Sequence, residues 1–353
     1  MTRFLLLLLV PIAPFVHYLL AAPPIWVFIA GIAGIAILAE WIRYSTEQLA
    51  LHVGSAVGSL LTVSLGSLAE LLLALFVLAA GQADVVHAQI TGSIMGTSLL
   101  GLGLAIVAGG LQRDRQCFRR ERAGLLSSLL VLVVLALLLP ALFDRTMRSV
   151  AQPGDIGLRD EDLSLTVSVV LLLLYGANLL YTLVTHRDVF ASGEEETAEP
   201  RWSVWTTLLA LAVCTAAAAV ESELVSDALT DTATVLGITP LFLGVIVLAL
   251  VGTIADLFAA VWFARRDRMA AAMSICIGSS IQIALVVAPL LVILSWLIGS
   301  PMTLVFENPI ELFAIAGTTF IVNAIAGDGE TTWFEGVLLI GVYVLFGLAF
   351  FFV

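Results

Sequence analysis

Apolar residues run along this chain in blocks of about twenty, and polar positions collect in the short stretches between the blocks. About twenty apolar helical residues are needed to cross the hydrocarbon core of a bilayer. That ruler gives eleven segments: 4–20, 25–43, 56–80, 88–112, 123–143, 163–184, 203–220, 236–263, 270–298, 308–327 and 333–352. Charged residues, Pro or Gly separate most neighbours. In lipid the backbone must satisfy its own hydrogen bonds, so runs this long predict helices rather than barrel strands. The pattern predicts an all-α membrane protein with eleven transmembrane helices. The first apolar run, Phe4–Val10, follows a single Arg and reads as a retained helix, since more membrane-spanning sequence comes after it.

Composition agrees with the pattern. Of 353 residues, 61% are hydrophobic and 12% charged, and the mean hydropathy is +1.10. A soluble domain carries about 45–50% apolar and about 25% charged residues, so too few polar side chains are present to cover a water-facing surface. A soluble enzyme, a disordered tail and a nucleic-acid binder are excluded, and the net charge of -12 argues further against polyanionic partners. The expected surroundings are a lipid bilayer, in a prokaryotic plasma (inner) membrane. Cys117, Cys214 and Cys276 lie far apart with no CxxC spacing, and read as packing residues. All 15 basic residues are Arg, and 12 of them fall on the side of the membrane that holds the N-terminus. The other three, Arg145, Arg148 and Arg159, share one loop on the opposite side. The positive-inside rule then puts the N-terminus in the cytoplasm and the C-terminus outside.

Sliding the chain by 186 residues lays Gly66-Ser67-Leu68-Ala69-Glu70 on Gly252-Thr253-Ile254-Ala255-Asp256, and Gly92-Ser93 on Gly278-Ser279. The two copies are five crossings apart and so run in opposite directions, a plan recurrent in secondary transporters, with the substrate site near the bilayer midplane. The expected organisation is an extra N-terminal helix (1–24), a first five-helix repeat (25–185, core motif 56–112), an acidic cytoplasmic linker (186–202) and a second five-helix repeat (203–353, core motif 236–298).

Glu70 and Asp256 fall well inside their segments. A carboxylate at the bilayer centre costs about 2.5–3.5 kcal/mol on the insertion scale, so such residues face a cavity and serve a function. Two acids can neutralise a divalent cation that takes oxygen ligands, and Ser67 and Thr253, three positions before each acid, add hydroxyl oxygens on the same face. Gly66 and Gly252 allow the backbone to approach or unwind. Without the cation, repulsion and burial disfavour two charges, and the pair takes up protons. One site thus holds either a cation or protons. Ser279, Ser280 and Gln282 in one partner segment, and Ser93 and Thr97 in the other, supply the second wall. Gly92, Gly96, Gly101 and Gly103 suit either ligation or close helix packing. Glu40, Glu221 and Glu223 are read either as lining an access path or as solvated helix ends, Glu311 and Glu335 as interfacial, and His87 as an interfacial polar residue ahead of a proton relay. The acidic stretch 194–199 reads as a solvated run.

Three stretches, Gly278-Ser-Ser-Ile-Gln-Ile-Ala-Leu285, Gly81-Gln82 to Gly92-Ser93-Ile94, and Met302-Thr303-Leu304 through Asp328-Gly329 to Trp333-Phe334-Glu335-Gly336, resemble the cation/proton exchanger (CAX) family of Ca²⁺/H⁺ antiporters, within the calcium/cation antiporter superfamily. The likeness spans residues 36–353. It implies one extra helix plus two inverted five-helix halves, Glu70 and Asp256 as central cation and proton carriers with polar help from Ser279, Ser280 and Gln282, and Ca²⁺ export driven by proton influx. No resident cofactor is implied, only the transported ions. The chain departs from the family pattern where Ser67, Thr253 and Thr97 replace the usual Asn, where the second acid is Asp256 rather than Glu, and where Leu257 replaces His. These hydroxyls look like those of the sister sodium/calcium exchangers and suit Na⁺ as well as Ca²⁺, so a Na⁺ or K⁺/H⁺ antiporter stands as the alternative. An intramembrane protease does not fit: the four histidines form no HExxH, and only one Asp lies mid-membrane. A channel would tend to be an oligomer around a shared pore.

Overall fold

The protein's structure, a computed structural model, describes residues 6–20, 22–53, 65–111, 115–118, 120–150, 156–181 and 201–353, with Gly58, Leu61 and Arg113 as single positions. The acidic stretch 194–199, most of the linker and most of 54–64 lie outside the described residues. The helices are α1 (Ile12–Tyr18), α2 (Pro24–Val53), α3 (Leu68–Ala79), α4 (Ala83–Gly110), α5 (Arg120–Val150), α6 (Ile156–Leu180), α7 (Val204–Leu236), α8 (Pro240–Arg265), α9 (Met269–Ile298), α10 (Pro309–Asp328) and α11 (Trp333–Phe351). Among the described residues nine are long and apolar enough to span a membrane, while α1 and α3 are shorter. Many large apolar side chains point outward, Leu173, Trp205 and Phe320 among them. Such a surface belongs in lipid and not in water. This is an integral membrane protein.

The chain forms two compact units, residues 1–81 with 174–240 and residues 82–173 with 241–353. In the first, α2 and α7 pack along one another. Leu38, Ala39, Trp41 and Ile42 of α2 share a buried cluster with Ala69 of α3 and with Cys214 and Ala218 of α7. Trp41 stacks on Trp202, with ring centroids 6.1 Å apart. The expected first helix over 4–20 is interrupted, a short 3-10 turn at Leu7–Leu9 being followed by α1 after Pro11. Proline has no N–H to donate and clashes with the preceding turn. Conversely α2 continues ten residues past the expected 25–43, because Arg43 pairs with Glu40 (3.1 Å) and Glu47 (2.7 Å) one turn to either side. α7 also outruns its expected end at 220, stopping only at Gly237 in the left-handed region (φ 66°).

The second unit holds α4, α5, most of α6 and α8 to α11. α4 and α8 cross backbone to backbone. A Cβ on Gly92 would stand 1.9 Å from the carbonyl oxygen of Val245, and one on Gly244 would stand 2.8 Å from that of Val85. Close packing is thus the role of Gly92. The short strands β1 (Gln116–Cys117) and β2 (Glu330–Thr331) pair antiparallel, Gln116 opposite Thr331. Glu335 is spent on a capping box with Thr332 at the start of α11, which accounts for its position near a segment end.

The sequence repeat recurs in the backbone. α3 ends at Ala79 and α8 at Arg265, and α4 begins at Ala83 and α9 at Met269; each pair is 186 residues apart. The turns between them match too: Gly81 and Asp267 take positive φ (79° and 64°), and Gln82 and Arg268 follow with φ/ψ of -103°/59° and -112°/52°. Further on, both second helices carry a π-turn at equivalent positions, Gly96–Gly101 and Ile283–Val287. Such turns inside α-helices are rare and mark functional regions.

Candidate functional site

The acids come from helices built differently. Ser67 is the N-cap residue of α3 in a turn (φ -94°, ψ 15°), so Glu70 stands in the first turn of α3, at the positive end of its helix dipole. Gly66, just before the turn, has open space where a side chain would grow. Glu70 is 4% exposed. The second copy is not unwound at its glycine. α8 runs through Gly252 without a break, and the Thr253 hydroxyl donates to the Ala249 carbonyl at 2.9 Å inside the helix. The irregularity of α8 lies earlier, in the π-turn Leu243–Leu248. At the first copy the helix is interrupted by a turn at Ser67.

In the second unit two adjacent serines of α9 make contacts with α8 and α4. Ser279 donates to the Asp256 carboxylate at 2.5 Å. Ser280, about 100° further round the helix, turns to α4 and meets the Thr97 and Ser98 hydroxyls, each at 2.6 Å. Thr97 also donates to the Ser93 carbonyl at 2.8 Å. Ser93, Thr97, Ser98, Ser280 and Thr253 are all buried, and Gln282 nearly so. Ser98 escaped the sequence reading. An ideal α-helix would point Thr97 and Ser98 in different directions, and the π-turn that brings both to Ser280 leaves no mark in residue type. Among the described residues no three His, Cys, Asp or Glu side chains gather as a metal cage.

The more peripheral acids divide. Glu40 is half-exposed and paired with Arg43, the solvated option. Glu223 is exposed, on the far side of α7 from its buried face. Glu221 is no helix end: it lies midway along α7, 1% exposed. His87 and Glu311, expected at the interface, are buried as well. His87 Nε2 donates to the Thr303 carbonyl at 2.8 Å, tying the start of α4 to the loop before α10.

Sequence comparison decides the family. The profile of the sodium/calcium exchanger protein family matches residues 23–184 and 206–352. The chain belongs to that family. Within it, the chain is 38% identical to a protein of Aphanothece halophytica called a Ca(2+)/H(+) antiporter, covering 99% of this chain and 96% of that one. Likeness to a Synechocystis protein of the same description is 39%, over 91% and 90%. Among solved structures, that described as native YfkE superposes with a TM-score of 0.85 at 31% identity, covering both chains in full. The resemblance to the cation/proton exchangers therefore holds along the whole sequence of this family member.

Proposed function

We propose that this exchanger-family protein is a secondary active Ca²⁺/H⁺ antiporter that exports Ca²⁺ from the cytosol by alternating access, with the cation and protons competing for Glu70 and Asp256. The observation that carries the reading is full-length likeness to proteins called Ca(2+)/H(+) antiporter. The chemistry agrees with it. Asp256 is held by a neighbouring hydroxyl and remains partly accessible, while Glu70 lies in the first turn of a helix, whose dipole favours a negative charge there. Gly66, Ser67, Gly252, Thr253, Ser93, Thr97, Ser279, Ser280 and Gln282 supply the surrounding oxygen.

The membrane plan we adopt has eleven crossings, the first being segment 4–20 that contains α1 and the third segment 56–80 that contains α3, with the N-terminus in the cytoplasm and α2–α6 and α7–α11 as inverted halves. One contact supports a pseudo-two-fold axis through α4 and α9. The Ser280 hydroxyl lies 3.3 Å from the carbonyl of Ile94, its own counterpart in the repeat 186 residues earlier. A residue touching its symmetry mate must lie close to the axis, where transporters of this plan bind their substrate.

The test is proton flux in proteoliposomes carrying a pH gradient, with Ca²⁺, Na⁺ and K⁺ added in turn. Ca²⁺ dissipates the gradient in the wild type, and Glu70→Gln or Asp256→Asn abolishes the response. Dissipation by Na⁺ alone would replace the cargo, and ion movement without protons would replace the mechanism.

A further inference from the structure

Glu221 has no place in the mechanism above, yet it is an isolated acid among the described residues of the first unit. Both carboxyl oxygens are buried without a hydrogen-bond partner among the described residues. The group presses on two glycines of α2: a Cβ on Gly34 would stand 3.0 Å from the Glu221 carboxyl carbon and 3.2 Å from Oε2, and one on Gly31 would stand 3.5 Å from the same oxygen. Gly31 makes room first for Val225, whose Cγ2 would stand 2.5 Å from an added Cβ, while Gly34 makes room for Glu221. A neutral carboxyl can sit there. A carboxylate, with two unsatisfied oxygens facing glycine backbone and Val225, cannot stay without water or a cation.

The position along the helix matters as much. Ser226 donates to the Phe76 carbonyl at 3.2 Å, while Ala69 shares a cluster with Cys214 and Ala218. These two contacts run in the same order, so α3 and α7 are parallel and Glu221 lies within about one helical turn of the depth of Glu70. The other titratable groups on the packed elements are further away or turned aside. Glu40, Arg43 and Glu47 pair with one another beyond Gly34 on α2. Cys214 is two turns back on α7, and Glu223 is exposed on its other face. His17 of α1 lines a cavity of about 290 Å³ with Asp227 and Asp231, one to three turns onward.

We infer that Glu221 is a second proton-binding carboxyl of the first unit, and that its protonation state decides whether α2 and α7 stay closed on one another. Neutral, it fits the glycine cradle; ionised, it draws water between the helices and parts them. The inference deepens the antiport reading and relies on it for one measurement only.

The experiment compares wild type with Glu221→Gln, which keeps the shape and cannot ionise. Infrared difference spectra (wild type minus Glu221→Gln) of the purified, Ca²⁺-free proteins should show a carboxylic-acid C=O component, lost on raising pH, beyond the band that other protonated carboxyls give in both. Hydrogen exchange of peptides from 24–53 and 204–236, corrected for intrinsic rate, should rise about tenfold with pH in the wild type and stay flat in the variant. In proteoliposomes the variant should still exchange, with its pH profile displaced by about one unit, a tenfold change in proton affinity. Should Glu221→Gln fail to fold, Glu221→Asp must keep the band and the pH-dependent exchange. An unchanged band in the variant, or identical exchange at all pH values in both proteins, overturns the inference. Absence of any Ca²⁺ response in the wild type would instead remove the antiport reading and leave the first two readouts standing.

Discussion

The two serines of α9 show how finely neighbouring positions divide labour. Ser279 serves the Asp256 carboxylate, and Ser280 ties α9 to Thr97 and Ser98 of α4. A hydrogen bond to a charged group contributes about 1.5–3 kcal/mol. Ser279→Ala should therefore raise the Ca²⁺ concentration for half-maximal proton flux roughly tenfold or more, with little change in thermal stability. Ser280→Ala should do the reverse: about 1 kcal/mol less stability in detergent and a smaller effect on flux. Equal effects on both readouts from both variants would show that the serines form one undivided network. Most of this was legible from residue type, since hydroxyls three before an acid, or 23 to 24 positions after it, have few other uses in lipid. Ser98 and Glu221 were not. The first depends on a π-turn that no composition encodes. The second resembles a helix terminus only while charge is assumed to mean water.

Helix ends were the least legible part of the fold for that same reason. Hydropathy stops α2 at Arg43 and α7 at Val220, whereas ion pairs carry the first to Val53 and burial of Glu221 carries the second to Leu236. Packing between helices was half legible: small residues announced close approach without saying which glycine bears it. The structure separates them. Gly92 abuts the Val245 carbonyl, while Gly278, its equivalent in the repeat, has nothing within 4 Å of an added Cβ. Gly92→Ala must push α4 away from α8, and overpacking of this kind costs about 1–3 kcal/mol or more. It should lower the melting temperature sharply or abolish expression, whereas Gly278→Ala should melt like the wild type. Fluorescence-detected unfolding of the two purified variants checks this. If Gly278→Ala is stable yet transports poorly, its role belongs to the ion path and not to packing.

Competition between a metal ion and protons ties stability to pH through every element that bears a ligand. A ligand that binds only the folded state stabilises it by RT ln(1 + [L]/Kd), which is about 2.7 kcal/mol when Ca²⁺ stands at a hundred times Kd. Where two carboxylates must each lose a proton before the cation binds, one unit of acidification can weaken apparent affinity by as much as a hundredfold. The same Ca²⁺ concentration then contributes only about 0.4 kcal/mol. Ca²⁺ should accordingly raise the melting temperature strongly at pH 8 and barely at pH 6 in the wild type. Under the proposed mechanism Glu70→Gln and Asp256→Asn remove one carboxylate each, and each should lose the Ca²⁺-dependent shift at both pH values. Retention of the shift in either variant would mean that the cation does not need that carboxylate, and that the paired-acid proposal must yield to a site built around the remaining carboxylate and its hydroxyls.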